Sequence, residues 1–562
     1  MKQQELRKKF EEFFKKKGHK LVAPASLVFE KDPSVLFTSA GMQQFKDFYL
    51  QPKHAPAANI ITIQPCFRTS DIEEVGDSDH LTFFEMMGNF SFDEYFKKEA
   101  IEYAFEFVTK VLKIPKSKIF VSVFRGEKDP ISGQAIPLDR ESVEIWRNLG
   151  ISDSKIKMNG LEDNFWGPTG KEGPCGPTTE IYVGETELWN IVFNQYYKSK
   201  DGRLAKSKYT GVDTGMGLER LAQVMQGKKD IFETDLFLPI LGEIKKMTEE
   251  AGIKEQRIIA DHIRAIVFLA SEGVMPSNKE RGYVLRRLIR RAVANAKMLK
   301  IKENILPNLA KIVIDNYSSQ YPILDKSQER TLSLIKSEES NFNKTLSAGI
   351  REFEKVLKGP KKIISGIDVF RLYDTFGFPF ELMEQMAKQN DKKIAESEFR
   401  QELEKQRQRA RQAQKFRSQA PNARLHTATH LLHRALRDVL GQHVQQAGSD
   451  ISGDELRFDF THSQKLTDGQ IKKIEEIVNE KIKQNLPVKA KETTLEKAKK
   501  EGAIALFDQK YGDKVTQYSV GDYSKELCGG PHVKKTGEIG KFVITHEKSS
   551  ASGVRRIKAK VE

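Results

Sequence analysis

From the N-terminus to about Pro239, short apolar runs alternate with turn residues. Ile60–Ile63, Thr82–Met87, Ile119–Phe124 and Leu188–Tyr197 are separated by Gly, Pro, Asn and Asp clusters, the pattern of strands joined by turns. This stretch is expected to form an α/β domain around a largely antiparallel sheet. Its opening is different: Leu6, Phe10, Phe13 and Phe14 recur at helical spacing among alternating acids and bases, which predicts an amphipathic helix with those four side chains inward. Between about Ile240 and Phe416 the period becomes helical, as in Ile258–Ser271, Tyr283–Leu299 and Ile305–Tyr317. The run Glu398–Arg417 is almost wholly Glu, Gln, Lys and Arg and predicts a solvated connector helix. From about Pro421 the composition shifts to His-rich and Gly-rich turns, one clear helix and several strand candidates, a separate α+β domain. The expected divisions are 1–240, 241–397, 398–420 and 421–562, an α+β multidomain chain.

At 562 residues and roughly 100–200 residues per domain, about three to five domains are expected. A hydrophobic content of 38% with 34 Phe excludes a disordered chain. Three cysteines cannot build a disulfide framework, so Cys66, Cys175 and Cys528 are expected reduced or metal-bound in a cytosol-like compartment. No apolar run approaches the roughly 18 residues of a membrane helix, and the first residues resemble neither a signal nor a transit peptide. The expectation is a cytoplasmic protein with no membrane partner. The net charge of +15 points to an anionic partner, with nucleic acid first among them.

Three clusters carry chemistry. In the first, Cys66-Phe67-Arg68 ends a strand, a polar loop follows, and the return strand brings His80 and then Phe84. A guanidinium at one end of such a hairpin holds a phosphate, and an aromatic ring at the other stacks on a base. Alone, an Arg on a strand beside an aromatic is usually a surface salt-bridge donor packed on a core ring, so a second element is needed. Asp213-Thr214-Gly215-Met216-Gly217-Leu218-Glu219-Arg220 supplies the second element: two glycines let backbone approach a ligand before a helix begins, and Arg220 adds a cation on its first turn. The chain lacks a P-loop Lys motif and a Gly-x-Gly-x-x-Gly after a strand, which argues against other nucleotide-binding folds.

The second cluster is His426-x-x-x-His430 with Cys528-x-x-x-His532. The first spacing puts two imidazoles on one helix face, and the second adds a thiolate and a third imidazole, a four-ligand set suited to one Zn²⁺. The third is basic: Arg281, Arg286, Arg287, Arg290 and Arg291 occupy eleven residues without an intervening acid, and Lys297, Lys300 and Lys302 follow. The pairs Arg286/Arg290 and Arg287/Arg291 are expected to make a broad cationic face that tracks phosphates.

The two arginine segments match the motifs of class II aminoacyl-tRNA synthetases, and longer strings make the likeness narrower. Leu36–Asp47, Thr82–Phe92, Gly173-Pro174-Cys175-Gly176-Pro177, Ala260-Asp261-His262-Ile263-Arg264, Val274–Asn278, Arg281–Arg287 and Leu372–Pro379 resemble the alanyl-tRNA synthetase family from near one end of the chain to near the other. The resemblance implies a class II antiparallel-sheet catalytic domain, a helical tRNA-recognition domain and a zinc-binding editing domain, in an enzyme that uses ATP to join alanine to tRNA(Ala). It implies that Arg68 holds the α-phosphate and Arg220 the γ-phosphate of ATP, with Phe84 stacked on adenine and His80 and Met86 nearby. Trp166, Asn190, Val192 and Asp213 would form the alanine pocket, and Glu187 would be a ligand for the Mg²⁺ that accompanies ATP. Asp374 matches an acidic position that reads a G·U wobble pair, and Thr429 and Gln446 match positions that read a misacylated residue. A pocket sized for a methyl group cannot strongly exclude glycine or serine, so hydrolysis of Ser- or Gly-mischarged tRNA(Ala) at a second site is expected.

The chain also departs from the family. Ser39 stands where Asn is common, and Asp79 and Leu81 flank His80 where Arg and His are frequent. The charged helix leads straight to His426 without the usual β-barrel segment, and the C-terminal extension is missing. A shortened form is therefore expected, with a monomer favoured. A threonine ligase with the same zinc module is disfavoured by the small apolar pocket, and a non-catalytic RNA-binding paralogue by the two intact arginine motifs.

Overall fold

The computed structural model describes all residues except 30–34, 169, 171, 302–303, 417–421, 453, 463, 495–496, 499–500, 505–513 and 552–553. Lys302 and the end of the expected connector at 417–420 lie outside the described residues. The chain forms two compact units, Met1–Ala348 and Gly349–Glu562.

Helix α1 (Gln3–Lys16) buries Leu6, Phe10, Phe13 and Phe14, as the apolar spacing predicts. The four expected strand segments coincide, apart from Thr82 at one edge, with parts of β1 (Asn59–Phe67), β2 (Phe83–Phe92), β3 (Ile119–Phe124) and, after β4 (Gly173–Val183), β5 (Thr186–Lys198). β6 (Leu204–Gly217) completes the centre of the sheet. Among the described residues the order is Lys20–Leu21, β1, β2, β6, β5, β4, β3, Ile156–Asn159, with Phe165–Trp166 paired off the path to β4. All central pairings are antiparallel, and parallel pairing is confined to the two outer pairs. Buried runs on both faces of β1 and β2 explain why these strands read as near-continuous apolar stretches rather than as a clean alternation.

A short helix, α2 (Leu218–Met225), leaves β6, and the expected helical stretch holds α3 (Ile253–Ser271), α4 (Glu280–Met298), α5 (Leu306–Tyr317) and α6 (Gln328–Leu357). α3 belongs to the sheet's own core. Phe268 stacks on Phe83 with ring centroids 4.3 Å apart, and Asp261 accepts from the Thr82 backbone N–H at 2.9 Å and from its hydroxyl at 2.5 Å. The change of period near 240 thus marks a change of element type, while the two compact units divide within α6.

In the second unit, α7 (Gly366–Phe376) ends on Gly377, whose φ of 62° is the left-handed conformation that a helix C-terminus favours. The charged segment is helical, α8 (Glu396–Phe416). Asn422 accepts from the backbone N–H groups of Arg424 and Leu425 and so starts α9 (Ala423–Leu440). β7 (Gln446–Ser452), β8 (Glu455–Thr461), α10 (Asp468–Lys483), β9 (Val488–Thr494), β10 (Lys514–Val520), β11 (Ser524–Leu527), β12 (Phe542–Ala551) and β13 (Val554–Val561) follow. They make one sheet in the order β7-β8-β13-β12 and another in the order β9-β10-β11. Leu425, Leu432 and Leu436 of α9 and Ile474 and Val478 of α10 share a core with Phe458, Phe460 and Ile557.

Candidate functional site

A cavity of about 470 Å³ opens over the centre of the sheet, within the roughly 300–1,000 Å³ usual for small-molecule sites. Arg68, His80, Phe84, Met86, Trp166, Glu187, Asn190, Val192, Asp213 and Arg220 all line it. Strand register explains how positions so far apart meet. On β5, Asn190 stands between Glu180 of β4 and Gly215 of β6, and Val192 stands between Thr178 and Asp213. Residues two apart share a face, so Asn190, Val192, Asp213 and Gly215 present one surface. Gly215 leaves room there for Met86, whose sulfur would lie 2.9 Å from a Cβ at that position. The β4–β5 register slips between Glu187 and Trp189, an irregularity that lets the neighbours Glu187 and Leu188 both reach the cavity.

The charges are arranged unequally. The Arg68 guanidinium lies 4.9 Å from the Phe84 ring centroid and donates at 3.5 Å to the carbonyl of Ser39. Arg220 pairs with Glu187 at 3.0 Å, and both side chains are about two-fifths exposed (43% and 36%). The His80 ring sits 2.5 Å from an Asp77 carboxylate oxygen and 3.2 Å from one of Glu74; the hydrogen bond to Asp77 raises its pKa above the ordinary imidazole value. Asp213 is buried, and burial pushes its carboxyl up to about 7.

Behind the wall lies an ionic network that sequence reading missed, because its members are scattered. Arg7 and Tyr321 both bond Glu85, the latter at 2.6 Å. Arg264 pairs with Glu219 and donates to the Tyr317 hydroxyl at 3.0 Å, and Glu219 accepts from the Glu85 backbone N–H at 3.1 Å. Glu85 adjoins Phe84 and Glu219 adjoins Arg220, so this network braces the two residues that carry the ring and the second cation. Glu180 was also missed; an acid inside a strand that lines the cavity was the available signal.

The basic helix requires a correction. Arg286 is buried and bonded to Glu338 at 3.0 Å, to the Asn278 side chain at 2.5 Å and to the Pro276 carbonyl at 3.1 Å, so its guanidinium is committed inside the fold and cannot face phosphate. Arg287 and Arg291 pair with Glu73, and Arg290 lies 3.8 Å from Glu338 and 5.1 Å from the centre of the Phe342 ring. The acids that balance these arginines come from β1's following loop and from α6, distant in sequence, so the absence of local acids was misleading. Arg287 and Arg290 keep side chains 38% exposed. In the second unit, Asp374 accepts from the side-chain amide of Gln406 on α8.

The His/Cys cluster assembles as the spacing predicts. One ligand atom from each of His426, His430, Cys528 and His532 lies within 4.8 Å of the others. His430 and His532 turn Nδ1 to Glu526 and to the Thr427 hydroxyl, at 2.6 and 3.2 Å, while the Nε2 atoms of both are buried without a partner among the described residues. Such carboxylate- and hydroxyl-held imidazoles with a free second nitrogen are the usual form of metal ligands. Burial resists ionisation of Cys528, yet the imidazoles of His426, His430 and His532 bring its thiol down to about 3. A thiolate with three imidazoles fits a zinc ion. Gly530 permits the closure, since a Cβ there would come 1.8 Å from the His426 ring. Glu526, which also bonds His433 at 3.0 Å, and Thr427 were missed by sequence reading. Thr429 turns its hydroxyl to the Leu425 carbonyl and Gln446 bonds Ser449.

Residues 5–453 match the family described as tRNA synthetases class II (A), and residues 515–558 match the threonyl and alanyl tRNA synthetase second additional domain. The chain is 44% identical to the alanine–tRNA ligase of Borreliella afzelii, with 99% of this chain and 98% of that one covered. It is 44% identical to that of Treponema denticola over the same shares. Against the alanine–tRNA ligase of Dehalococcoides mccartyi it is 36% identical, covering 79% of that longer chain.

Proposed function

Because the chain belongs to the alanyl-tRNA synthetase family, we propose that it is an aminoacyl-tRNA ligase that activates alanine with ATP and transfers it to tRNA(Ala). The observation that carries the site assignment is the convergence of ten residues, from Arg68 to Arg220, on one cavity. In activation, an alanine carboxylate oxygen attacks the α-phosphorus of ATP, and the bond to pyrophosphate breaks. In transfer, a hydroxyl of the tRNA's terminal ribose attacks the alanyl carbonyl and AMP leaves.

Arg68 neutralises the α-phosphate, and adenine takes the Phe84 face over which its guanidinium now lies, with Met86 beneath and His80 at the rim. Arg220 leaves Glu187 for the γ-phosphate, which frees that carboxylate for the Mg²⁺ accompanying ATP, a hard cation that supplies charge neutralisation when bound. Asp213 pairs with the alanine ammonium, Asn190 bonds the same substrate, and Trp166 and Val192 limit the side-chain space to about a methyl group. No protein nucleophile is required.

The catalytic role belongs to 1–240 and tRNA recognition to 241–397, where Arg287, Arg290 and Arg291 meet phosphates and Asp374 reads a base edge. Binding at Arg287 and Arg291 competes with Glu73. Residues 398–420 connect to an editing domain, 421–562. There His426, His430, Cys528 and His532 would hold Zn²⁺, which would supply Lewis acidity only with one of the four displaced and otherwise fix the domain around itself, while Thr429 and Gln446 sort the esterified residue.

The test is ATP–pyrophosphate exchange with each standard amino acid in turn. Alanine should give the fastest exchange; faster exchange with threonine or any larger amino acid would overturn the assignment.

A further inference from the structure

Asn190 has two ends, and the fold uses only one of them. Its side-chain N–H donates to Glu180 Oε1 at 3.1 Å, whereas its Oδ1 is buried in the wall without a hydrogen-bond partner among the described residues. The other Glu180 oxygen accepts from Ser122 Oγ and from the Tyr182 hydroxyl, each at 2.7 Å. Ser122 is itself oriented, because its oxygen accepts from Asn164 at 2.8 Å. Glu180 is therefore held by donors on one oxygen and offers only an acceptor to Asn190. Turning the amide over would set carbonyl oxygen against carboxylate, so this conformation is determined by chemistry and not only by fit.

We infer that Glu180 is a positioning residue that makes Asn190 an acceptor towards the substrate. This rests on the alanine-pocket reading and assigns its polar end. A bound amino acid offers donors only at its ammonium; its carboxylate accepts. Across the strand pair Asn190 faces Gly215, and Asp213 lies two residues along on the same face, with both Asn190 and Asp213 lining the cavity. Two acceptors on adjacent strands thus take the ammonium, and the carboxylate is left free to be drawn to the phosphate end, where the arginines lie. An unfilled buried acceptor also penalises ligands that lack an ammonium, so Glu180 contributes to selection for amino acids as a class.

The test compares three ligands in wild type and Glu180→Gln at pH 8. The variant keeps the side chain's shape and lets its carbonyl retain Ser122 and Tyr182, but turns an N–H₂ towards Asn190, which then flips and presents its own N–H₂ to the ammonium. The KM for alanine and the inhibition constant of alaninol, which has the ammonium but no carboxylate, should rise about 10- to 100-fold. The inhibition constant of propionate, which has only the carboxylate, and the KM for ATP should stay within about twofold. Tyr182→Phe removes one anchor and should give the same ranking at smaller amplitude, which keeps the test open if Glu180→Gln does not fold. Weakening of propionate with alaninol spared, or equal weakening of all ligands and ATP, would overturn the inference while leaving the pocket in place. Wild-type exchange that does not depend on alanine would instead bring down the pocket reading, and this inference with it.

Discussion

Replacing Asp213 by asparagine should stabilise the protein and disable it at once. The carboxyl ionises near 3.8 in an unfolded chain and near 7 in the fold, the cause being burial. Between those values the folded chain holds the proton and the unfolded chain does not, so stability falls as pH rises and the loss is complete above pH 7. At about 1.4 kcal/mol per pH unit, three units amount to about 4 kcal/mol borne by the folded enzyme at pH 8 and absent at pH 4. A side-chain amide at this position cannot ionise, so Asp213→Asn should raise the melting temperature by several degrees at pH 8 and hardly change it at pH 4, measured by thermal scanning across that range. The same substitution removes the anion that pairs with the substrate ammonium, and alanine-dependent exchange should fall at least about a hundredfold. In wild type, kcat/KM for alanine should decline as pH drops through about 7, because the protonated carboxyl no longer attracts the ammonium. A variant that is destabilised equally at pH 4 and pH 8 would refute the burial argument, and one that exchanges with near-wild-type affinity for alanine would refute the role.

Arg220→Ala should abolish exchange while shifting the melting temperature little, since its pair with Glu187 is well exposed and worth at most about 1 kcal/mol; substantial remaining exchange would remove Arg220 from the triphosphate site. Arg286→Ala, which removes the nearer of the two arginines beside the buried Glu338, should cost about 2 kcal/mol in thermal or urea unfolding. Arg287→Ala should be nearly neutral in stability and instead weaken tRNA binding, with the salt dependence reduced by about one phosphate contact in filter binding. Cys528→Ala should lower zinc content in metal analysis of the purified chain and let Ser-tRNA(Ala) accumulate, with alanine activation unchanged; an unaltered deacylation rate would leave the cluster without a part in editing.

Much of this molecule is legible in the order of its residues. Helix α1 and the antiparallel strands follow from the spacing of apolar residues, because period is a local property that burial of one face then enforces, and the charged helix follows from its run of Glu, Gln, Lys and Arg. The His/Cys set is legible for a related reason: a one-turn interval on a helix places His426 beside His430 whatever surrounds them. The ATP and alanine positions, in contrast, were reached through resemblance to a family, and only strand register shows why they share a wall. Register also exposed Glu180, whose meaning depends on facing Asn190 across a strand pair. The basic helix marks the boundary most sharply. Between Arg281 and Arg291 the chain has no acid, but Glu73 and Glu338 arrive from elsewhere and occupy the arginine face. Which side chains are buried and at which period is dictated by neighbours a few residues away. Whether a charge is free, paired or sealed inside is decided by residues tens or hundreds of positions distant, because electrostatic partners are chosen by proximity in space, and proximity in space is what folding creates.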